Sequence, residues 1–283
     1  MDLTLQVDKD VAAALAEDVG SGDLTAGLIA VDSLARARVV SREEAVICGR
    51  PWFDAVFRSL DRACKITWMI AEGELVEAGR SLVELEGPAR ALLTGERTAL
   101  NFLQLLSATS TATHRYVEAV RGTRAQIVDT RKTVPGLRLA QKYAVRVGGG
   151  SNHRVGLYDG ILIKENHISA AGGVTRALQT ASAAAPAGIF VQIEVETHAQ
   201  LEEALAAGAT MILLDNFDLN GMRAAVKITA GRASLEASGS VDVNGVRAIA
   251  ETGVDRISVG ALTKNIAAVD LSMRFEARPP RAQ

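Results

Sequence analysis

The feature that most constrains this fold is a recurrence in the second half of the chain. From about Ala125 the apolar runs AQIVD, GILIK, FVQIEVE, TMILLD, ASLEAS and DRISVG follow one another, and helical patterns such as HAQLEEALAAG and NGVRAIAETG separate several of them. Corresponding positions are evenly spaced, with 21 residues from Glu194 to Asp215, 22 from Asp215 to Ala237 and 22 from Ala237 to Val259. One buried strand and one helix fill a repeat of that length, and helices are the usual connections between parallel strands. Repeats of this kind close naturally into an α/β barrel, although a doubly wound open sheet satisfies the same period.

The strand ends favour the barrel. Asp129, Lys164, Glu194 or Glu196, Asp215 and Ser238 each close an apolar run. In α/β barrels the active site is assembled at the carboxyl ends of the strands, from loops that follow different strands. Polar residues repeated at strand tips therefore converge on one axis.

The first half has another rhythm. Between about Ala35 and Glu86, short β-rich pieces (ARARVVSREEAVICG, CKITWMIAEGELV, SLVELEG) alternate with glycine turns, which suits a small antiparallel sheet or sandwich. A helical stretch follows, GERTALNFLQLLSATSTATHRYVEAV, with Leu100, Leu103 and Leu106 at helical spacing. The expected domains are 1–110, joined by the C-terminal segment 270–283, and 111–269. The first residues show neither a basic leader nor an apolar core of the secretory kind, and no apolar run approaches the roughly 18 residues that span a bilayer. Cys48 and Cys64 lack metal or redox spacing, which implies reduced thiols in a cytoplasmic protein. The ending ARPPRAQ reads as a disordered tail.

A net charge of −2 argues against a nucleic-acid or membrane-surface binder. Yet the segment DTRKTVPGLRLAQKYAVRVGGGSNHRVGL gathers Arg131, Lys132, Arg138, Lys142, Arg146, His153 and Arg154. Such a local cluster points to a small anionic ligand, because guanidinium forks and ammonium groups suit carboxylates and phosphates. Arg138, Lys142 and Arg146, spaced by four, read as one solvated helix face. Lys164, closing GILI, should point into the barrel mouth, and burial there requires an anionic partner. Gly148–Gly150 fit neither a dinucleotide fingerprint nor a P-loop, and read as a helix stop or a close approach of backbone to ligand. Glu194 and Asp215, one repeat apart, could share a Mg²⁺ or pair with Lys132 or Lys164. Glu196 has the same strand parity and ranks second to Glu194. SGS at Ser238–Ser240 and VGA at Val259–Ala261 stand where such barrels often hold a phosphate.

Several blocks together resemble the quinolinate phosphoribosyltransferase family (nicotinate-nucleotide pyrophosphorylase, carboxylating; type II phosphoribosyltransferases). They are EDVGSGDLT, GERTALNFLQLLS, DTRKTVPGLRLAQKYAV, GGGSNHRVGLYDGILIKENHI, IEVET, ILLDNF, LEASG and VGALT, in order from about residue 15 to 265. The resemblance implies an N-terminal α/β open-faced sandwich with an incomplete, TIM-like α/β barrel, and a homodimer whose sites are completed across the interface, with higher oligomers allowed. It implies transfer of ribosyl 5-phosphate from phosphoribosyl pyrophosphate to quinolinate with decarboxylation, in de novo NAD biosynthesis, with Mg²⁺ required. By position, Arg97 matches the arginine donated across the dimer. Arg131, His153 and Arg154 match the groups on the two carboxylates, and Lys132 and Lys164 the lysines lining the site. Glu194 and Asp215 match the metal and ribose carboxylates, and Ser238, Gly239 and Gly260 the 5-phosphate cradle. Two positions depart from the pattern: Gln192, where relatives often carry a third acid, and Ser240, where glycine is common.

Other readings compete. Lys164 as a Schiff-base lysine is disfavoured by the crowd of charges suited to polyanions. A non-catalytic metabolite-binding relative is disfavoured by the presence of both carboxylates and both lysines. A related phosphoribosyltransferase acting on another pyridine carboxylate is separated by substrate preference.

Overall fold

The computed structural model describes residues 3–277. They form two compact units. One holds the described residues up to Ala112, the segment Pro135–Gly148 and the described residues from Ile266, and the other holds Thr113–Val134 and Gly149–Asn265. Residues 135–148, inside the expected 111–269, thus group with the first unit. The tail expectation for ARPPRAQ falls, from Arg278 on, outside the described residues.

In the first unit the β-rich pieces become β1 (Leu34–Ser41), β2 (Ala45–Val46), β3 (Lys65–Trp68), β4 (Leu75–Val76) and β5 (Ser81–Pro88), and β12 (Leu271–Ala277) joins them. Four of these form an antiparallel sheet in the order β12-β1-β5-β3. Alternation along β1 buries Ala35, Ala37 and Val39 and leaves Arg36 and Arg38 on the other face. Only the apolar face is covered. Its core includes Trp52, Phe53, Val56 and Phe57 of the helix Arg50–Leu60, Val7 and Val11 of Leu3–Asp18, and Leu92, Leu103 and Leu106 of the helix Ala89–Ala119. The open face carries a charged ladder that includes an Arg36–Glu86 pair at 3.3 Å. This is the open-faced sandwich.

One expectation fails in this unit. The helix Arg138–Val147 does not present Arg138, Lys142 and Arg146 uniformly to water, because Lys142 is only 2% exposed while Arg146 is exposed. A spacing of four puts residues on one face but does not say which way that face turns. Here Ala140 and Ala144 pack into the core and draw the adjacent Gln141 and Lys142 inward.

The second unit is built on six parallel strands: β6 (Gln126–Val128), β7 (Ile161–Ile163), β8 (Val191–Val195), β9 (Met211–Asp215), β10 (Ser234–Ser238) and β11 (Arg256–Ser258). Their order is β6-β11-β10-β9-β8-β7. Read as a circle, that order is sequential: β7 to β11 pair in turn and β11 returns to β6. A doubly wound sheet reverses direction at a switch point, and here there is none. The sheet is a barrel of six strands that stays open between β6 and β7. At that seam Gly148 ends its helix and Gly149 takes φ +89°. Ser151 then bridges in parallel to Val128 of β6, its N–H bonding Ile127 O at 2.8 Å. The helix-stop reading of the triple glycine holds, and the chain beyond it goes on to cover an open strand edge.

Helix–sheet packing follows the sequence rhythm. Val174–Ala184 buries Val174, Ala177 and Leu178, His198–Ala206 buries Leu201 and Ala204, and Leu219–Thr229 buries Met222 and Ala225. Thr197 and Asp218 cap the last two by accepting from Gln200 N and Gly221 N.

Gly95, inside the helix Ala89–Ala119, gives the first prediction. A Cβ there would meet Phe57 Cε1 at 2.8 Å and Leu60 Cδ1 at 2.9 Å. Ordinarily Gly→Ala within a helix stabilises by about 1 kcal/mol. At this site overpacking reverses the sign, and Gly95→Ala is expected to cost about 1–3 kcal/mol, read as a lower urea midpoint for cooperative unfolding.

Candidate active site

The carboxyl ends of the open barrel surround a cavity of about 220 Å³. Around it stand Arg131 and Lys132 after β6, His153 and Arg154 after the bridge, Lys164 after β7, Glu194 in β8 and Ser238 at the end of β10.

Backbone and side-chain bonds fix each loop. Asp129, fully buried just beyond β6, accepts from Asn152 Nδ2 at 2.6 Å and from the N–H of His153 at 2.8 Å. Thr130 Oγ1 accepts the N–H of Lys132 at 3.1 Å, and the Lys132 carbonyl accepts from Thr263 Oγ1 at 2.7 Å. Gly260 lies against Lys132 so closely that a Cβ would sit 3.0 Å from Lys132 Cδ. Arg154 donates to Gly160 O at 3.0 Å, and Asp159 accepts the N–H groups of Val155 and Gly156, both at 2.8 Å.

Two electrostatic features stand out. Burial and then the charge of Arg131 push the Arg154 guanidinium below its ordinary value, with Asp159 opposing. A guanidinium disfavoured by its neighbour's charge favours an anion beside it. Burial also raises the Glu194 carboxyl; its bond to Lys164 opposes that rise, while the nearby charges of Asp215 and Glu165 add to it.

Lys164 Nζ lies 3.2 Å from Glu194 Oε2. It has the anionic partner expected, but its side chain is 47% exposed, so it sits at the mouth and not beneath it. A salt-bridged, half-exposed lysine is unlike the desolvated amine that Schiff-base chemistry uses. Of the two glutamates in the β8 run, Glu194 lines the cavity and Glu196 is exposed beyond it.

Not every expected residue lines the cavity. Asp215 is at the tip of β9 in register with Ser238, and Asn216 Nδ2 donates to its Oδ2 at 3.0 Å. Gly239 follows Ser238 with φ +146°, a conformation open to glycine. Gly260 serves the site through Lys132. Arg97 lies in the first unit, exposed on the helix Ala89–Ala119.

Five lining residues escaped the sequence reading: Thr130, Leu162, Leu213, Glu236 and Ser258. Strand parity could have found three of them. Leu162, Leu213 and Glu236 stand two residues before Lys164, Asp215 and Ser238, and so share their face of the sheet. Gln192, two before Glu194, belongs to the same layer.

Comparison with known proteins identifies the family. The chain matches the family models for the quinolinate phosphoribosyl transferase N-terminal domain over residues 23–107 and C-terminal domain over residues 109–274. It is 41% identical over 270 residues to the nicotinate-nucleotide pyrophosphorylase (carboxylating) of Mycobacterium leprae, covering 92% of this chain and 94% of that one. It superposes on the solved nicotinate-nucleotide pyrophosphorylase of Francisella tularensis with a TM-score of 0.93 at 45% identity, covering 96% and 97% of the two chains. With NadC of Streptococcus pyogenes the TM-score is 0.94 at 39% identity, covering 97% and 98%.

The Lys164–Glu194 pair yields a pH-dependent prediction. Replacing Lys164 by Met removes the influence that opposes the rise of the Glu194 pKa, so the folded-state value climbs further above the unfolded one. A carboxyl raised in the folded state favours folding when protonated and loses that contribution as pH rises through the folded pKa. Lys164→Met should therefore be most destabilised near neutral pH, with the deficit narrowing toward pH ~4.5, the ordinary carboxyl range. Urea midpoints of both proteins across that range test it.

Proposed function

Because the chain belongs to the quinolinate phosphoribosyltransferase family, we propose that it transfers ribosyl 5-phosphate from phosphoribosyl pyrophosphate to the ring nitrogen of quinolinate. The products are nicotinate mononucleotide, pyrophosphate and CO₂, as a step of de novo NAD biosynthesis. The observation that carries this reading is one cavity walled by Arg131, Lys132, Arg154 and Lys164 and faced by Glu194. Quinolinate brings two carboxylates and its co-substrate several phosphates, so a partly desolvated site needs several fixed cations.

The proposed roles follow from position. Arg131 and Arg154 hold the carboxylates of quinolinate, and an anion there offsets both the burial and the Arg131 charge that depress Arg154. Lys132, resting on Gly260, and Lys164, at the mouth, face the phosphates. Ser238, Gly239 and the Gly260 turn cradle the 5-phosphate. The ring nitrogen attacks the anomeric carbon, the bond from that carbon to oxygen breaks, and its electron pair leaves with pyrophosphate. In the resulting pyridinium the bond to the adjacent carboxylate breaks, its electrons remain on the ring carbon beside the positive nitrogen, CO₂ departs, and that carbon takes a proton. The residues chiefly bind and orient.

Mg²⁺ belongs to the same proposal. Among the described residues no three His, Cys, Asp or Glu side chains gather to ligate a metal. That suits Mg²⁺, which commonly takes one or two carboxylates and completes its shell with water and substrate phosphates. Glu194 and Asp215 would hold it, being close enough for the charge of Asp215 to raise Glu194. When bound it would supply charge neutralisation for the departing pyrophosphate.

The assembly we propose is a homodimer in which Arg97 serves the partner's site, and the location is cytoplasmic, in keeping with two free, buried thiols. Among the described residues no helix is long and apolar enough to cross a membrane.

A discontinuous assay of nicotinate mononucleotide from quinolinate and phosphoribosyl pyrophosphate, with and without Mg²⁺, tests the reaction. Arg131→Ala and Arg154→Ala should each raise KM for quinolinate about 10- to 100-fold, the worth of a charged hydrogen bond, without loss of folding. Wild-type kinetics in either variant would remove its assigned role. Mixing Arg97→Ala with Lys164→Ala subunits should restore activity, since one intact site can form across the dimer. A mixture as inactive as its parts would exclude the shared site.

A further inference from the structure

Two buried polar side chains beneath the cavity mouth have no part in the reaction just described. Gln192 and Glu236 are each 1% exposed. Glu236 Oε2 accepts from Gln192 Nε2 at 3.2 Å, and Arg256 Nε lies 3.3 Å from the same oxygen. Gln192 Oε1 is 2.8 Å from His153 Nε2. On the other side of the imidazole, Nδ1 lies 2.7 Å from the backbone N–H of Arg154.

The chain of bonds has a forced direction. A backbone N–H can only donate, so His153 Nδ1 must present its lone pair. The Glu236 carboxylate can only accept, so the Gln192 amide turns its NH₂ toward Glu236 and its oxygen toward His153. Nε2 must then carry the proton. The neutral imidazole protonated on Nε2 is the state that satisfies both contacts. An imidazolium would forfeit the Arg154 N–H bond.

We propose that Gln192 and Glu236 are positioning residues that hold His153 as a neutral Nε2–H imidazole. In this role His153 frames the backbone of Arg154 and does not bind a substrate carboxylate as a cation. The charge offered to the ligand then comes from Arg131, Arg154, Lys132 and Lys164. This revises the role that the resemblance implies for His153. It rests on the proposed function only for the identity of those carboxylates.

The surroundings of the ring make the choice of state consequential. Glu236 Oε1 has no hydrogen-bond partner among the described residues and lies 3.8 Å from His153 Nε2. Asp129 accepts the backbone N–H of His153, and the ring of Phe190 stands edge-on with its centroid 5.6 Å away. Arg256 sits behind Glu236, Arg154 and Arg131 line the cavity side, and Asp159 ties the same loop. Acidic groups therefore compete with the fixed bonds for the state of the ring, and the amide is what decides it.

Imidazole ¹⁵N spectra of the full chain labelled in histidine, without substrate, test the proposal. The four histidines are assigned by single His→Gln replacements. The expected His153 signal is the neutral Nε2–H pattern at pH 7, retained at the ordinary histidine pKa of about 6.5. Glu236→Gln and Gln192→Leu should convert it to mixed tautomers or to a ring that titrates. Each should raise KM for quinolinate about fivefold, the worth of one neutral hydrogen bond, with KM for phosphoribosyl pyrophosphate unchanged. An imidazolium or Nδ1–H pattern in the wild type overturns the proposal, as does a His153 signal indifferent to both replacements. If a variant does not fold, the wild-type spectrum still decides. An Nε2–H ring in a protein that makes no nicotinate mononucleotide would leave this proposal standing and remove the functional one.

Discussion

The buried carboxylate of Asp129 is the constraint on which the site depends. It stands at the end of β6, beside the open seam of the barrel, and binds Asn152 and His153 across that seam. Its own N–H bonds Ser151 O at 3.1 Å. A closed barrel would have strand pairing there; this one has a side chain and a single bridge. Arg131 follows Asp129 by two residues, and Arg154 follows the residue that Asp129 holds. Two guanidiniums that repel each other are thus tied, through their loops, to one acid. A buried carboxylate with satisfied acceptors can bear such a load, whereas an unpaired one would be costly.

Beneath that rim lies a second layer, each member two residues before a rim position of its own strand. Leu162 pairs with Gln192, and Glu236 pairs with both Leu213 and Arg256. Inward positions of a barrel stack in layers from neighbouring strands, and apolar residues usually fill them. Here the layer is half polar, joined by the bonds from Arg256 to Glu236, Gln192 and His153. Buried polar groups of this kind are tolerated when nearly every member is satisfied, and they then fix geometry strongly. The one oxygen left over, Glu236 Oε1, faces the ring whose state the network sets.

Much of this was legible before any coordinates. The apolar runs identified every strand of the barrel, because burial on both faces forces continuous apolar sequence. Polar tips identified the rim, since a charged residue ending such a run is excluded from the core. What stayed hidden depended on direction and partners. Glu236 sits inside ASLEAS and reads as an interruption of a strand, although parity aligns it with Ser238. Lys142 shares a helix face with Arg146, yet periodicity does not orient that face, and the packing of Ala140 and Ala144 does. Whether the sheet closes was equally beyond the period, which is common to barrels and wound sheets. The strand order settles it.

The charges of the cavity explain why the pieces belong together. On one wall, burial and Arg131 make Arg154 less willing to hold its proton. On the other, burial and Asp215 make Glu194 less willing to lose its own. Glu194 is paired directly with Lys164, at 3.2 Å. A dianion between the arginines and a cation beside the carboxylates would relieve both walls at once. The cost of holding like charges together is met by the fold, before the ligand arrives. In the proposed reaction binding would return that energy as orientation of the reacting groups, where preorganised charges act most strongly on a transition state.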